Sequence, residues 1–154
     1  MKKKSLLAAS FILLLSAELC LAKDWNGIFP LYSTKADVLN RFGKADDEVR
    51  PYWYIYRFNE YHVSFEISVT MCDEGYFVPE GRVLAITILP NQTQKWAEVS
   101  IPNRQKLIES APYDSMVDYS DKEEGMRYTV KDGLLGAINY EPSAADDFLR
   151  CPKE

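Results

Sequence analysis

The sequence predicts an α+β fold: a curved antiparallel sheet of about six strands in two similar halves, with one or two short helices on one face. Three observations carry this. Runs with strict period-two alternation recur along the chain, most clearly Tyr61, Val63, Phe65, Ile67 and Val69 against His62, Ser64, Glu66, Ser68 and Thr70. A short, well-capped helix precedes the first strands. The third strand of each half ends in proline with matching residues, Ile86-Thr87-Ile88-Leu89-Pro90 beside Ile138-Asn139-Tyr140-Glu141-Pro142.

A leader stands before these elements. Lys2, Lys3 and Lys4 are followed by an apolar run from Leu6 to Leu15, interrupted only by Ser10. The exit Cys20-Leu21-Ala22 has small side chains where a signal peptidase reads them, so residues 1–22 read as a cleaved signal peptide and 23–154 as one mature domain. The apolar run is shorter than the ~20 residues a helix needs to cross a bilayer, and no later segment is long enough, so no membrane span is predicted. Cys20 as an acylated lipoprotein cysteine would need small residues before it. Glu18 and Leu19 stand there instead, and a lipid anchor is not predicted. The expected location is outside the cytoplasm, periplasmic or secreted.

Charge narrows the partners. The chain carries 18 Lys+Arg and 23 Asp+Glu, and removing Lys2, Lys3, Lys4 and Glu18 leaves 15 and 22, a net charge of −7. Such a surface repels nucleic acid and anionic headgroups. Two cysteines remain after cleavage, Cys72 and Cys151, and an oxidising compartment makes an even pair a disulfide. It would close a loop of 79 residues, which chain entropy values at about 4.5 kcal/mol as an upper figure. The alternative is two thiols too far apart to pair.

The mature elements follow in order. Thr34 is the N-cap of a helix over about 34–42, Asp37 completes the capping box, Val38, Leu39 and Phe42 share a face, and Gly43 stops it. Tyr52 to Phe58 reads as an aromatic-rich strand, 61–70 as the alternating strand, and 71–81 as a loop holding Cys72, Asp73, Glu74 and Gly75. Arg82 to Leu89 resumes as a strand. Pro102 opens a second short helix over 103–110, with Leu107 and Ile108 toward the core. Met116 to Tyr119 and Met126 to Lys131 flank an acidic loop, and Asp132-Gly133 turns tightly into Leu134 to Tyr140.

Candidate sites are few. His62, Ser64 and Glu66 offer base, nucleophile and orienter on one strand face, but side chains two apart on a strand stand roughly 7 Å apart. A catalytic hydrogen bond needs about 2.6–3.2 Å, so a solvated face is the better reading. Asp46-Asp47-Glu48, Asp73-Glu74, Asp121 with Glu123-Glu124, and Asp146-Asp147 lack the spacing of a calcium loop. No catalytic residue, metal or cofactor is assigned. Rings in Trp25, Trp53, Trp96, Tyr52, Tyr54 and Tyr56 serve chiefly as core, with Trp53 the exposed member. Trp53, Tyr54, Tyr56, His62 and Glu66 form the predicted binding surface.

Three pieces resemble a family of uncharacterised exported bacterial proteins: Trp25-x-Gly27-Ile28-x-Pro30-Leu31-x-Ser33-Thr34-x-Ala36-Asp37-Val38, Val78-Pro79-x-Gly81-x-Val83, and Leu149-Arg150-Cys151. That resemblance implies no activity. Ser33-Thr34-x-x-Asp37-Val38-x-x-x-Phe42-Gly43, followed by aromatic strands, is similar to the opening of small outer-membrane assembly lipoproteins. The tandem helix-plus-strands order resembles the β-lactamase inhibitor protein. These resemblances imply a non-enzymatic α+β module that binds another envelope or extracellular protein. The departure is the missing N-terminal anchoring cysteine. The alternative function is a small secreted hydrolase using opposed carboxylates or His62. N-terminal sequencing of the exported protein should begin at Lys23; a start at Met1 or an acylated Cys20 would overturn the leader as read.

Overall fold

Alternation of apolar and polar residues builds almost all of this molecule. A computed structural model describes residues 22–113 and 115–152; the predicted leader through Leu21, with Cys20, lies outside the described residues. The one α-helix among the described residues, α1 (Lys35–Phe42), begins as the sequence predicts. Thr34 N donates to Asp37 Oδ2 at 2.7 Å and Asp37 N donates to Thr34 Oγ1 at 3.1 Å, a reciprocal box worth about 1 kcal/mol. Gly43 at φ 76 ends the helix, and Val38 is the position it buries.

Nine strands follow among the described residues: β1 (Asp47–Glu48), β2 (Trp53–Arg57), β3 (Tyr61–Ile67), β4 (Val83–Pro90), β5 (Gln94–Lys95), β6 (Ile108–Tyr113), β7 (Met116–Asp121), β8 (Met126–Lys131) and β9 (Leu134–Tyr140). They form one antiparallel sheet in the order β1-β2-β3-β4-β9-β8-β7-β6, with β5 beside β9. The expectation of about six strands is thus corrected to nine. β1 and β5 are two residues each, too short to show alternation. β6 lies where the second helix was expected. Asn103 is left-handed at φ 54 and gives no side-chain cap, so only a 3₁₀ turn forms at Arg104–Lys106 before the chain extends at Ile108. Two other 3₁₀ segments occur, Trp96–Glu98 and Ala144–Leu149.

The meander β2-β3-β4 and the meander β7-β8-β9 meet through β4 and β9. Ile86 pairs with Tyr140, Thr87 with Asn139, and Ile88 with Ile138. The two proline-ended strands that match in sequence therefore lie side by side, running in opposite directions. Asp132 (φ 52) and Gly133 (φ 76) make the tight turn between β8 and β9.

One face of the sheet is the main core. Tyr54, Tyr56, Val63, Phe65, Ile86 and Ile88 bury against Trp25, Ile28 and Val38, and Trp25 stacks on Phe42 at 5.2 Å. In the second half Met126, Tyr128 and Leu135 bury beneath Trp96, Val99 and Leu107, with Trp96 stacked on Tyr119 at 4.8 Å. A register irregularity at Glu66/Ile67 turns Leu84 out of this core. Leu84 instead joins Leu31, Tyr76 and Val78 in a smaller cluster.

That smaller cluster is where the chain ends are tied. Asp146, fully buried, accepts from Tyr32 Oη at 2.6 Å and from Ser143 N and Oγ at 2.7 and 2.8 Å. Burial, reinforced by the Asp146 carboxylate, pushes the Tyr32 hydroxyl up to about 12. Phe77 N donates to Leu149 O at 2.7 Å and Cys151 N to Gly75 O at 2.9 Å. Cys72 and Cys151 stand at disulfide distance, with 5.7 Å between their Cα atoms. Denatured mature protein should show no titrating thiol before reduction, and reduction should lower its stability by about 2–4 kcal/mol. Two free thiols per chain would contradict the pairing.

Candidate functional site

The face of the sheet opposite the main core carries a row of polar side chains. Ser64 on β3 lies opposite Thr87 on β4, Thr87 opposite Asn139 on β9, Asn139 opposite Arg127 on β8, and Arg127 opposite Ser120 on β7. One cross-strand hydrogen bond holds its middle: Thr87 Oγ1 donates to Asn139 Oδ1 at 2.9 Å. Arg127 is its hub. Its Nε donates to Glu141 Oε1 at 2.8 Å, a second nitrogen reaches the same oxygen, and Nη1 meets Asp118 Oδ2 at 3.4 Å. Asp118 is buried, and its Oδ1 has no hydrogen-bond partner among the described residues.

Where the small cluster rises from this face, a cleft of about 480 Å³ opens. Its floor is Glu66, Ala85, Thr87, Asn139, Arg127 and Glu141 from four strands or their ends. Glu74, Tyr76, Ser143, Ala144, Asp147, Arg150 and Lys122 complete the lining, with Lys122 O accepting from Ala144 N at 2.7 Å. Arg150 lies 4.1 Å over the Tyr76 ring and 3.3 Å from Asp147. Gly125 is needed here: at φ 66, a Cβ would stand 2.2 Å from Glu141 O, the carbonyl of a residue in the cleft floor.

The electrostatics are uneven. Burial raises the Glu66 carboxyl above its ordinary 4.5; the Trp53 indole opposes this, and Glu74 and Asp73 add to it. Burial likewise raises the Tyr76 hydroxyl, against the pull of Arg150.

Trp53 and Glu66 are cross-strand partners on this face, and Trp53 is 42% exposed. His62, half-buried, shares the face opposite Arg57 and Leu89, beyond the residues that line the cleft. Tyr54 and Tyr56 are a correction. They are 3% and 4% exposed and point into the core, because period two turns every second residue of β2 away from Trp53. Their hydroxyls are satisfied there, Tyr54 donating to Glu48 Oε1 at 2.7 Å and Tyr56 to Gly43 O at 2.9 Å. Cys72 and Cys151 tie together the two segments that wall the cleft. Of the acidic clusters, Glu74 and Asp147 reach the cleft, whereas Asp146 is used in its cap. Among the described residues no three His, Cys, Asp or Glu side chains converge as metal ligands.

Sequence reasoning missed Arg127, Asn139, Thr87, Lys122 and Arg150. A usable signal existed for two of them. Thr87 and Asn139 occupy the same place in the matched strands, each a polar residue between apolar neighbours.

No protein-family model matches this chain, and no curated protein does. Among solved structures, its fold is similar to that of a DUF4309 family protein (YjgB) from Bacillus subtilis. The TM-score is 0.53 and the identity 16%, over 77% of this chain and 84% of that one. At that identity the likeness concerns the fold alone, a largely antiparallel open sheet with few helices. An uncharacterised family is consistent with it; the likenesses to the assembly lipoproteins and the β-lactamase inhibitor protein are not shown by it. No helix among the described residues is long and apolar enough to cross a membrane.

Because the Glu66 carboxyl is raised in the folded state, its favourable contribution is present below the ordinary value of 4.5 and lost as pH rises through the folded value. Glu66→Gln should therefore raise the melting temperature at pH 7, with the gain shrinking toward pH 4. An equal or lower melting temperature at pH 7 would contradict this.

Proposed function

We propose that this chain is an exported, non-enzymatic binding module of the cell envelope or periplasm, and that it recognises another envelope or extracellular protein. Its recognition surface is the sheet face opposite the main core, including Trp53, His62 and Glu66 and the adjoining cleft. The observation that carries the reading is the construction of that face. Polar side chains from β3, β4, β9, β8 and β7 lie in one row, and the Thr87–Asn139 hydrogen bond and the ion pairs of Arg127 with Glu141 and Asp118 fix its β4, β9, β8 and β7 part. A half-exposed tryptophan stands at the margin of the row, the residue type that most often anchors a protein interface. The lysine-led leader and the paired cysteines support export, and the acidic mature chain disfavours nucleic acid.

A hydrolase is the second reading, and one observation favours it. Glu66, with a raised carboxyl, and Glu141, ion-paired to Arg127, line one cleft, a pair of carboxyls in contrasting environments. Against it, Glu141 Oε1 is committed to two Arg127 nitrogens, and His62 lies outside the cleft.

The test is cross-linked capture of envelope proteins by the mature chain, 23–154. One recurrent partner should be retained by the native protein and lost with Trp53→Ala. That variant's stability should stay within about 0.5 kcal/mol of the parent, as for a surface site. Equal capture by Trp53→Ala, or no partner across growth conditions, would sink the proposal. Hydrolysis of a model glycoside or ester, abolished by Glu66→Gln, would promote the second reading.

A further inference from the structure

We propose that the cleft binds a short zwitterion, with its ammonium held by Glu66 and Glu74 and its carboxylate or phosphate held at Lys122. The inference rests on the cleft being a recognition site rather than a catalytic one. It begins with which lining charges are already occupied. Arg127 is spent on Glu141 and Asp118, and Arg150 on Asp147 and the Tyr76 ring. Glu66 and Glu74 at one side, and Lys122 at the other, have no ion-pair partner among the described residues. All three line the same cavity.

Opposite unpaired charges across one cavity select a ligand with both signs. Only a molecule carrying both charges at its two ends improves both sides. The raised Glu66 carboxyl agrees, since burial beside Glu74 and Asp73 without a counter-cation is what raises it.

Spacing sets the length. Glu66 lies opposite Ala85 on β4, the next strand is β9, and Lys122 sits in the turn between β7 and β8. That is about three strand spacings, on the order of 14 Å of backbone separation. The Glu and Lys side chains close part of it, leaving room for one to three residues at roughly 3.3–3.6 Å each. A cavity of about 480 Å³ is within the usual ~300–1,000 Å³ of small-molecule sites. Thr87 and Asn139, bonded to each other, and Ser143, bonded to Asp146, form its polar lining between the two ends. A free amino acid or short peptide has this chemistry, and so does an ethanolamine phosphate headgroup.

Calorimetric titration of the mature chain, 23–154, separates these. The probes are the dipeptide Ala-Ala, its N-acetylated form, its C-amidated form, and glycerophosphoethanolamine. Binding of Ala-Ala should weaken at least tenfold on acetylation and at least tenfold on amidation. Glu66→Gln should reproduce the loss on acetylation while changing little for the acetylated peptide. Lys122→Ala, at an exposed position, should reproduce the loss on amidation. Glycerophosphoethanolamine binding more tightly than Ala-Ala, with the same dependence on Glu66 and Lys122, would support the zwitterion and assign a lipid headgroup as its source. Binding of none of the four, equal binding of the blocked peptides, or cleavage of Ala-Ala would overturn the proposal. Should it fail while partner capture remains dependent on Trp53, the binding-module reading stands and only the ligand class is lost.

Discussion

The antiparallel contact of β4 with β9 is the constraint on which the rest of this structure depends. Three residue pairs join two meanders that would otherwise be separate small sheets. On one face they set Ile86 and Ile88 beside Tyr140 and Ile138, which makes a continuous apolar layer from the Trp25 cluster to the Trp96 cluster. On the other they set Thr87 beside Asn139, and so align the polar row with Arg127. Both the core and the cleft floor are consequences of a single register. A one-residue slip would exchange the two faces and bury the polar row.

The cleft owes its walls to a second constraint, the fastening of the C-terminal segment. Asp146 is removed from water yet receives three hydrogen bonds, one of them from Tyr32, 114 residues earlier in the sequence. A buried carboxylate satisfied in this way fixes geometry strongly, because losing any donor leaves charge without solvent. The Cys72–Cys151 pair and the Phe77–Leu149 hydrogen bond fasten the same segment to the loop after β3. Asp147 and Arg150 are thereby held against a sheet to which neither belongs.

Much of the fold was legible because its signals are local. The Thr34–Asp37 box, Gly43, the alternation of β3 and the Asp132-Gly133 turn each identify their element within a few residues. The segment 91–112 was not legible. Its turns depend on Asn103 adopting a left-handed conformation, and its strand β6 takes its pattern from pairing with β7 rather than from its own alternation. The disulfide was readable from count and compartment. The site was harder: Trp53 and Glu66 declared themselves by strand position, but Arg127, Lys122 and Arg150 come together only when β8, a turn and the C-terminal segment converge. Tyr54 and Tyr56 face the core and not the surface, because strand period two outweighs the aromatic content of β2.

The junction of the two meanders also bears on how the chain is made. Synthesis delivers β4 long before β9, and the edge that β9 will cover stays bare while the segment 91–133 between them emerges. That edge, Val83-Leu84-Ala85-Ile86-Thr87-Ile88-Leu89, is uncharged and rich in β-formers, a composition that invites pairing with a neighbouring chain. The first meander, with its helix and ring cluster, can therefore assemble early yet remains adhesive along one side until the last strand arrives. A chaperone that shields nascent strands would find its target there, in a segment that the finished molecule conceals.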